Sequence, residues 1–147
     1  MDMRKLVGKR PLVVCGAGCL IFNKEGRVLL QRRDDDNLWG NPGGSVDLGE
    51  TIYDTVIREV LEETGLEIYE GDLELFNIYS GEDQHHIYSN GDELYGVNIV
   101  FKTNKYSGHL EARDGESKEL KFFDIKDIPN DIIKPFIPVV RDLQKQK

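Results

Sequence analysis

The sequence has few cysteines, no long apolar run and a shortage of positive charge, and each shortage excludes a class of protein. Two cysteines, Cys15 and Cys19, occur among 147 residues, too few for a disulfide scaffold or a zinc module. No apolar stretch approaches the roughly 20 residues that a transmembrane helix needs. Residues 1–11 lack the apolar core of a signal peptide. These absences predict a cytoplasmic protein with no membrane attachment.

Positive charge is outweighed by negative charge. The 19 lysines and arginines face 27 aspartates and glutamates, which gives a net charge of −8. Broad nucleic-acid binding requires a basic surface and is therefore not expected. A small nucleotide substrate stays open, because a divalent cation accompanies its polyphosphate and only the local charge matters. The length and a hydrophobic content of 39% predict one domain over residues 1–147.

Apolar patterns divide the chain into strands around a central helix. Residues 12–22 form a continuous apolar run that predicts a strand covered on both faces, with both cysteines as buried thiols. Residues 27–33 are predicted to return beside it as a hairpin. Later strands are expected within residues 68–79, 97–103 and 118–125, and a terminal helix at about 138–144. This order predicts an α+β fold with a mixed sheet between helices.

The central helix has clear start and stop signals. Thr51 and Asp54 have the spacing of a capping box, and Gly65 is typical of a left-handed residue that ends a helix. Between them, Val56 and Val60 continue an apolar stripe of helical period. One face of this helix is therefore predicted to be buried.

Three carboxylates on another flank of this helix suggest a metal site. Glu59, Glu62 and Glu63 have spacings of three and four, which places them on one face, where they repel one another unless a cation lies between them. Mg²⁺ or Mn²⁺ suits such oxygen ligands. A solvated acidic face is the alternative. The glycine-rich loop that runs through Gly43 and Gly44 into the helix favours the metal, because a helix N-terminus binds phosphate.

Residues 44–66 resemble the Nudix box, G-x5-E-x7-R-E-U-x-E-E-x-G-U, where U is aliphatic. All nine specified positions match, from Gly44 and Glu50 through the run that begins at Arg58. Asp47 stands where many family members carry Glu. The resemblance implies the Nudix fold, an α/β/α sandwich, and a MutT-like hydrolase. Such an enzyme uses a divalent metal to cleave a nucleoside diphosphate linked to another group.

The resemblance also implies residue roles. Glu59, Glu62 and Glu63 would ligate the metal with the main-chain carbonyl of Gly44, while Arg58 would orient the glutamates and Glu50 would support the site. The general base stays open. It could come from the box, from a later loop or from a histidine, and the candidates outside the box are Glu116, Glu119, His85 and His86.

Substrate contacts are predicted mainly in the irregular polar segment 80–96, because loops carry specificity. A polar hairpin without such a role is the alternative. The single tryptophan, Trp39, precedes the glycine loop and is expected either to stack on a base or to pack beneath the loop. The candidate substrate contacts are Arg32, Trp39, Gly43, His85, His86, Tyr88 and Tyr95.

Three functions compete. A Mg²⁺- or Mn²⁺-dependent pyrophosphohydrolase, acting as a monomer or homodimer on a small nucleotide, agrees with every position of the box. A non-catalytic sensor of nucleotides would be expected to lose box glutamates, and none is lost. A scaffold role has no sequence support. The candidate substrates are ordinary or oxidised nucleoside triphosphates, ADP-sugars such as ADP-ribose, dinucleoside polyphosphates and capped RNA ends. The acidic charge makes RNA ends least attractive, and the expected lack of an extra N-terminal domain slightly favours triphosphates.

Overall fold

The computed structural model describes residues 8, 10–34, 36–88, 90–111 and 117–145. In this part of the chain, ten strands form three sheets and two α-helices accompany them. The strands are β1 (Leu12–Ile21), β2 (Val28–Arg33), β3 (Trp39–Gly40), β4 (Gly43–Ser45), β5 (Leu66–Glu67), β6 (Glu74–Tyr79), β7 (His85–Ile87), β8 (Glu93–Thr103), β9 (Ser107–Gly108) and β10 (Ser117–Phe123). The helices are α1 (Ile52–Thr64) and α2 (Ile137–Lys145). Short 3₁₀ turns at Glu82–Gln84 and Lys134–Phe136 lie between them in the chain.

The main sheet is mixed, as predicted. Its order is β4-β1-β8-β6, and β7 pairs with the first residues of β8. The long central strands β1 and β8 run parallel, whereas the other pairs are antiparallel. The β1–β8 pair joins residues far apart in the sequence, and it places the hairpin of β7 and β8 beside the glycine loop.

The predicted hairpin of the first two strands is wrong. β2 lies in a separate sheet between β10 and β3, and only the bridge between Phe22 and Val28 joins it to the end of β1. The reason is that β1 is already paired on both of its edges, with β4 and β8. The turn after β1 therefore leads the chain into a second sheet.

The two helices cover opposite faces of the main sheet. Cys19 and Ile21 point into a cluster that contains Val56 and Val60 of α1. Leu20, between them, points into a second cluster that contains Val139 and Leu143 of α2. Successive strand residues face opposite sides, so the structure has the predicted α/β/α layers. No helix among the described residues is long and apolar enough to cross a membrane.

The prediction that both cysteines are buried is half wrong. Cys19 is buried, and its burial raises the pKa of the thiol above its usual range. Cys15 is exposed. Residues 12–15 of β1 alternate between half-buried and exposed, and the strand is covered on both faces only from Gly16 onward.

The start and end of α1 agree with the sequence. Thr51 Oγ1 accepts a hydrogen bond from the Asp54 amide at 3.0 Å, and Asp54 Oδ2 accepts one from the Thr51 amide at 3.1 Å. Gly65 ends the helix in the left-handed conformation, with φ of 79°. The next residues form the short strand β5, so Gly65 alone connects the helix to the strand.

Replacement of Gly65 by alanine is expected to destabilise the protein more than the same change at Gly26. The two glycines have φ of 79° and 77°, so the backbone penalty, about 1–2 kcal/mol, is shared. A Cβ at Gly65 would lie 2.5 Å from the His109 carbonyl oxygen, whereas a Cβ at Gly26 would meet nothing within 4 Å. Overpacking should add about 1–3 kcal/mol at Gly65 alone. Urea unfolding of both variants measures the difference, and equal losses would contradict the contact.

Candidate active site

A cavity of about 440 Å³ opens where the glycine loop, the hairpin of β7 and β8 and the start of α2 meet. Its floor consists of alternate residues of β1 and β8, among them Gly16, Gly18 and Gly96. The absence of side chains at these glycines lets the amides of Asn41 and Asn98 lie close to the sheet. Ligand pockets usually measure roughly 300–1,000 Å³, so this cavity can hold a small organic molecule.

Glu63 of α1 is the most deeply buried carboxylate at the cavity. Its Oε1 accepts hydrogen bonds from Gln31 Nε2 and from the Gly43 amide, both at 2.9 Å. Arg33 Nη1 lies 3.7 Å from its Oε2. Burial, with a smaller contribution from the neighbouring Glu59 carboxylate, raises the pKa of Glu63 to about 8 despite the opposing effects of the Gly43 amide and Arg33. The protein thus encloses a carboxylate that lacks sufficient positive charge of its own.

Glu59 lies against the loop at Gly44. A Cβ on Gly44 would lie 2.5 Å from Glu59 Oε2, so the glycine leaves the space in which the Glu59 carboxylate lies. Glu59 Oε2 also accepts a hydrogen bond from Arg58 Nη1 at 2.8 Å. Glu59 and Glu63 both line the cavity.

Arg58 forms the centre of an ion-pair network. Its Nε and Nη2 donate to the two oxygens of Glu50 at 2.7 and 2.9 Å, a bidentate pair. The same guanidinium lies 3.3 Å from carboxylate oxygens of both Asp47 and Glu62. Hydrogen bonding by Arg58, with help from the Asp47 amide, lowers the pKa of Glu50 to about 2. Arg58 therefore has the orienting contacts that the resemblance implies, and Asp47 joins the network directly.

The three box glutamates differ in their exposure to solvent. Glu59 and Glu63 line the cavity, whereas the Glu62 side chain is half exposed and hydrogen bonds to Arg58 Nη1 at 3.3 Å. Within the described ranges, no three carboxylate, histidine or cysteine side chains are close enough to hold a metal ion as they stand. Arg58 Nη1 donates to both Glu59 and Glu62, so the guanidinium occupies a position between these two carboxylates, and the role of Glu62 as a metal ligand stays a prediction.

The remaining donors nevertheless fit a hard divalent cation. The carboxylates of Glu59 and Glu63 are adjacent, and a Cβ built on Gly16 would lie 3.3 Å from the Gly44 carbonyl oxygen. Gly44 itself lines the cavity beside Glu59 and Glu63. Carboxylate and carbonyl oxygens are the ligands that Mg²⁺ and Mn²⁺ prefer. A cation between the two carboxylates would also offset their repulsion.

The predicted substrate contacts of the hairpin divide by strand alternation. His86 and Tyr88 line the cavity, and their rings meet edge to face with centroids 4.6 Å apart. His85 instead binds Glu93 Oε2 through Nε2 at 2.6 Å and stacks on Tyr95, with ring centroids 4.6 Å apart. Neither His85 nor Tyr95 lines the cavity. Gly43, the other predicted contact at this end, does line it.

Arg32, Trp39 and Glu119 form a group outside the cavity. Trp39 is buried and packs edge-on against Phe123, with Arg32 over its ring at 5.6 Å. Arg32 Nη2 donates to Glu119 Oε1 at 2.9 Å. Trp39 therefore follows the packing alternative, and Glu119 lies away from the two buried glutamates. Glu116, the other late candidate for the base, is outside the described residues.

Sequence reasoning missed several cavity residues. Gln31 and Arg33 flank Arg32 on β2 and face the opposite way, toward Glu63. Period-two alternation of β2 was the available signal, but without a known partner strand it could not show which face lies inward. Asn98 of β8 and the buried Gln84 also line the cavity, and no motif marked either one.

Comparison with known proteins identifies the family. The family model of the NUDIX domain matches residues 14–143. The chain belongs to the NUDIX family. The prediction of a MutT-like Nudix hydrolase is thus confirmed as to family and enzyme class, and the match covers the box and both helices.

Curated relatives and solved structures agree with this. An ADP-ribose pyrophosphatase from Methanocaldococcus jannaschii is 34% identical over 112 residues, which cover 74% of this chain and 61% of that protein. The chain thus spans less than two thirds of that relative's length. An RNA pyrophosphohydrolase from Novosphingobium aromaticivorans is 37% identical over 137 residues, 81% of each chain. A MutT NUDIX hydrolase structure from Burkholderia pseudomallei matches with a TM-score of 0.73 and 26% identity, over 91% of this chain and 98% of that one. The Nudix fold is therefore confirmed.

The ion pair of Glu50 predicts acid-sensitive stability. Because folding lowers the pKa of Glu50 from 4.5 to about 2, its stabilising effect is fully present above pH 4.5 and is lost as the pH falls toward 2. Wild type should exceed Glu50→Gln in unfolding free energy at pH 6, and the gap should narrow between pH 4.5 and 3. Urea titrations at a series of pH values measure this gap. In an Arg58→Gln background, the effect of Glu50→Gln on the unfolding free energy should be small and nearly independent of pH. The same pH-dependent effect as in the wild-type background would contradict the role of Arg58.

Proposed function

We propose that this Nudix protein hydrolyses a phosphoanhydride bond in a nucleoside diphosphate linked to a further group, with Mg²⁺ or Mn²⁺. The observation that carries the proposal is the meeting of Glu59, Glu63 and the Gly44 carbonyl at one end of a nucleotide-sized cavity. Relatives with pyrophosphatase names support the same reaction class.

Each residue at this end has a defined task. Glu59, Glu63 and the Gly44 carbonyl would hold the metal, which when bound supplies neutralisation of phosphate charge and acidification of water. Arg33 faces the same end and would bind phosphate oxygens. Gln31 and the Gly43 amide hold Glu63 in place, and Arg58 does so for Glu59. The ligand role of Glu62 stays a prediction.

The position of Glu119 argues against a role as general base. Its carboxylate is paired with Arg32 and does not line the cavity, whereas a general base must lie within hydrogen-bond reach of the proton that it accepts. Glu59, Glu63 and His86 are the described candidates that line the cavity. We therefore place the base among residues of the box or at His86, and Glu116, which lies outside the described residues, stays a prediction.

The substrate proposed is a small nucleotide, either a nucleoside triphosphate or a nucleotide sugar such as ADP-ribose. The cavity has the volume of a small-molecule site, and the net charge of −8 disfavours a long polyanion such as RNA. A cytoplasmic location and a monomeric or homodimeric state remain predictions.

Matched substitutions test the metal assignment. Glu63→Gln keeps the side-chain volume and an oxygen for Gln31 and Gly43 but removes the ligand charge, so turnover should fall on the order of 10²–10⁴-fold. Glu119→Gln, the same chemical change outside the cavity, should stay within about twofold of wild type. Circular dichroism confirms that both variants fold. Near-normal turnover by Glu63→Gln, or a large loss in Glu119→Gln, would sink the assignment.

A substrate panel tests the reaction class. Purified protein with Mg²⁺ or Mn²⁺ should release phosphate from one group of compounds, measured with a coupled phosphatase or pyrophosphatase. The panel includes nucleoside triphosphates and their 8-oxo forms, ADP-ribose, dinucleoside polyphosphates and a 5′-triphosphorylated RNA. Activity should fall to background with EDTA. Silence across the panel, accompanied by thermal stabilisation with a nucleotide, would instead favour the sensor function.

A further inference from the structure

Asn98 occupies an unusual place on the cavity floor. It is paired in the sheet with Gly16 of β1 and follows Gly96 by two residues on the same face of β8. A Cβ on Gly16 would lie 2.6 Å from Asn98 Oδ1, and a Cβ on Gly96 would lie 2.6 Å from Asn98 Nδ2. The amide therefore lies flat across the sheet, in space that exists only because both neighbours are glycine.

A second amide fixes the orientation of the first. Gln84 is buried, and its Nε2 donates to the Pro135 carbonyl oxygen at 3.0 Å. A carbonyl can only accept, so Gln84 must turn its Oε1 toward Asn98. Asn98 Nδ2 then donates to that oxygen at 2.6 Å. The Pro135 carbonyl thus sets the orientation of both amides, and we call the hydrogen-bonded series Pro135, Gln84 and Asn98 the relay. Asn98 Oδ1 lies on the side of the amide opposite Gln84, toward Gly16.

The relay leaves hydrogen-bonding capacity that the protein does not use. Among the described residues, Asn98 Oδ1 accepts no hydrogen bond, and Nδ2 retains a second N–H. Asn98 lines the cavity. Its Oδ1 and the Gly44 carbonyl oxygen both lie near Gly16, so Asn98 borders the end where we place the phosphates, on the part of the floor that the attached nucleoside would reach. An acceptor and a donor side by side on a planar amide match the edge of a nucleobase, which offers the same pair in reverse.

We propose that Asn98 is a specificity-determining residue that hydrogen bonds the base of the bound nucleotide, with Gln84 as its positioning residue. This inference rests on the proposed function, since it assigns the cavity floor to the nucleoside half of the same substrate. Burying the polar side chain of Gln84 is costly unless both of its ends are satisfied. The relay satisfies both ends and delivers a fixed acceptor to the cavity.

Binding of ligands that have no anhydride bond tests this assignment independently of hydrolysis. The probes are the four common nucleoside 5′-monophosphates and, as the base-free control, ribose 5-phosphate. Wild type should bind at least one monophosphate more tightly than ribose 5-phosphate by calorimetry. Asn98→Leu should weaken that monophosphate about tenfold, the effect of one or two hydrogen bonds, and leave ribose 5-phosphate unchanged.

Two further variants separate selection from folding. Gln84→Met keeps the shape but breaks the relay, so it should produce a smaller loss with the same dependence on the base. Asn98→Ala adds no bulk and should reproduce the effect of Asn98→Leu if the larger residue does not fold. Asn104→Leu, on the exposed turn after β8, is the matched control and should bind as wild type does.

The outcomes are distinct. Equal weakening of ribose 5-phosphate in Asn98→Leu and Asn98→Ala, no weakening of any monophosphate, or a wild-type protein that prefers none of them over ribose 5-phosphate would each overturn the assignment. A base-dependent loss in a protein without hydrolytic activity would uphold Asn98 while refuting the reaction. Hydrolytic activity together with unchanged base discrimination in both Asn98 variants would uphold the reaction and refute the role of Asn98.

Discussion

The close approach of α1 to the glycine loop is the constraint on which the site depends. Gly44 has no room for a Cβ because the Glu59 carboxylate lies against it, and the Gly43 amide donates to Glu63 at 2.9 Å. These two contacts clamp one turn of the helix to β4. Because β4 is in turn paired with β1, the glutamates are held at the edge of the main sheet. A side chain at Gly44 would displace the Glu59 carboxylate from this position.

The balance of charge around this contact gives it a role beyond stability. Arg58 lies within ion-pair distance of four carboxylates, those of Asp47, Glu50, Glu59 and Glu62. One guanidinium cannot neutralise four acids, and the strongest hydrogen bonds go to Glu50. Glu63, on the far side of Glu59, is left with Arg33 at 3.7 Å and with hydrogen bonds from neutral donors. A buried carboxylate in that state favours a cation, which is the electrostatic preference that a phosphate–metal substrate would satisfy.

The features that could be predicted from the sequence are those set by neighbouring residues. The capping box of α1, its end at Gly65 and the contacts of Arg58 all lie within a few turns of one helix. The pairing of β2 was wrong because adjacency in the chain was taken for adjacency in the sheet. The same missing register left the inward faces unknown: Arg33 lines the cavity instead of the predicted Arg32, and of the two predicted histidines His86 lines it and His85 does not. A shift of one residue reverses every side chain of a strand.

The parallel pairing of β1 and β8 shows why the rest lay beyond sequence reasoning. Gly16 and Asn98 are brought together by that pairing. No local sequence pattern predicts which distant strand will pair with β1. This difference between local and long-range features corresponds to two parts of the proposed site. The proposed reaction centre lies within one sequence motif, whereas the floor proposed to contact the rest of the substrate is assembled from strands that are distant in the sequence. Proteins can therefore share the motif and differ in the residues of the floor. Relatives whose names specify ADP-ribose and RNA agree with this separation of motif and floor.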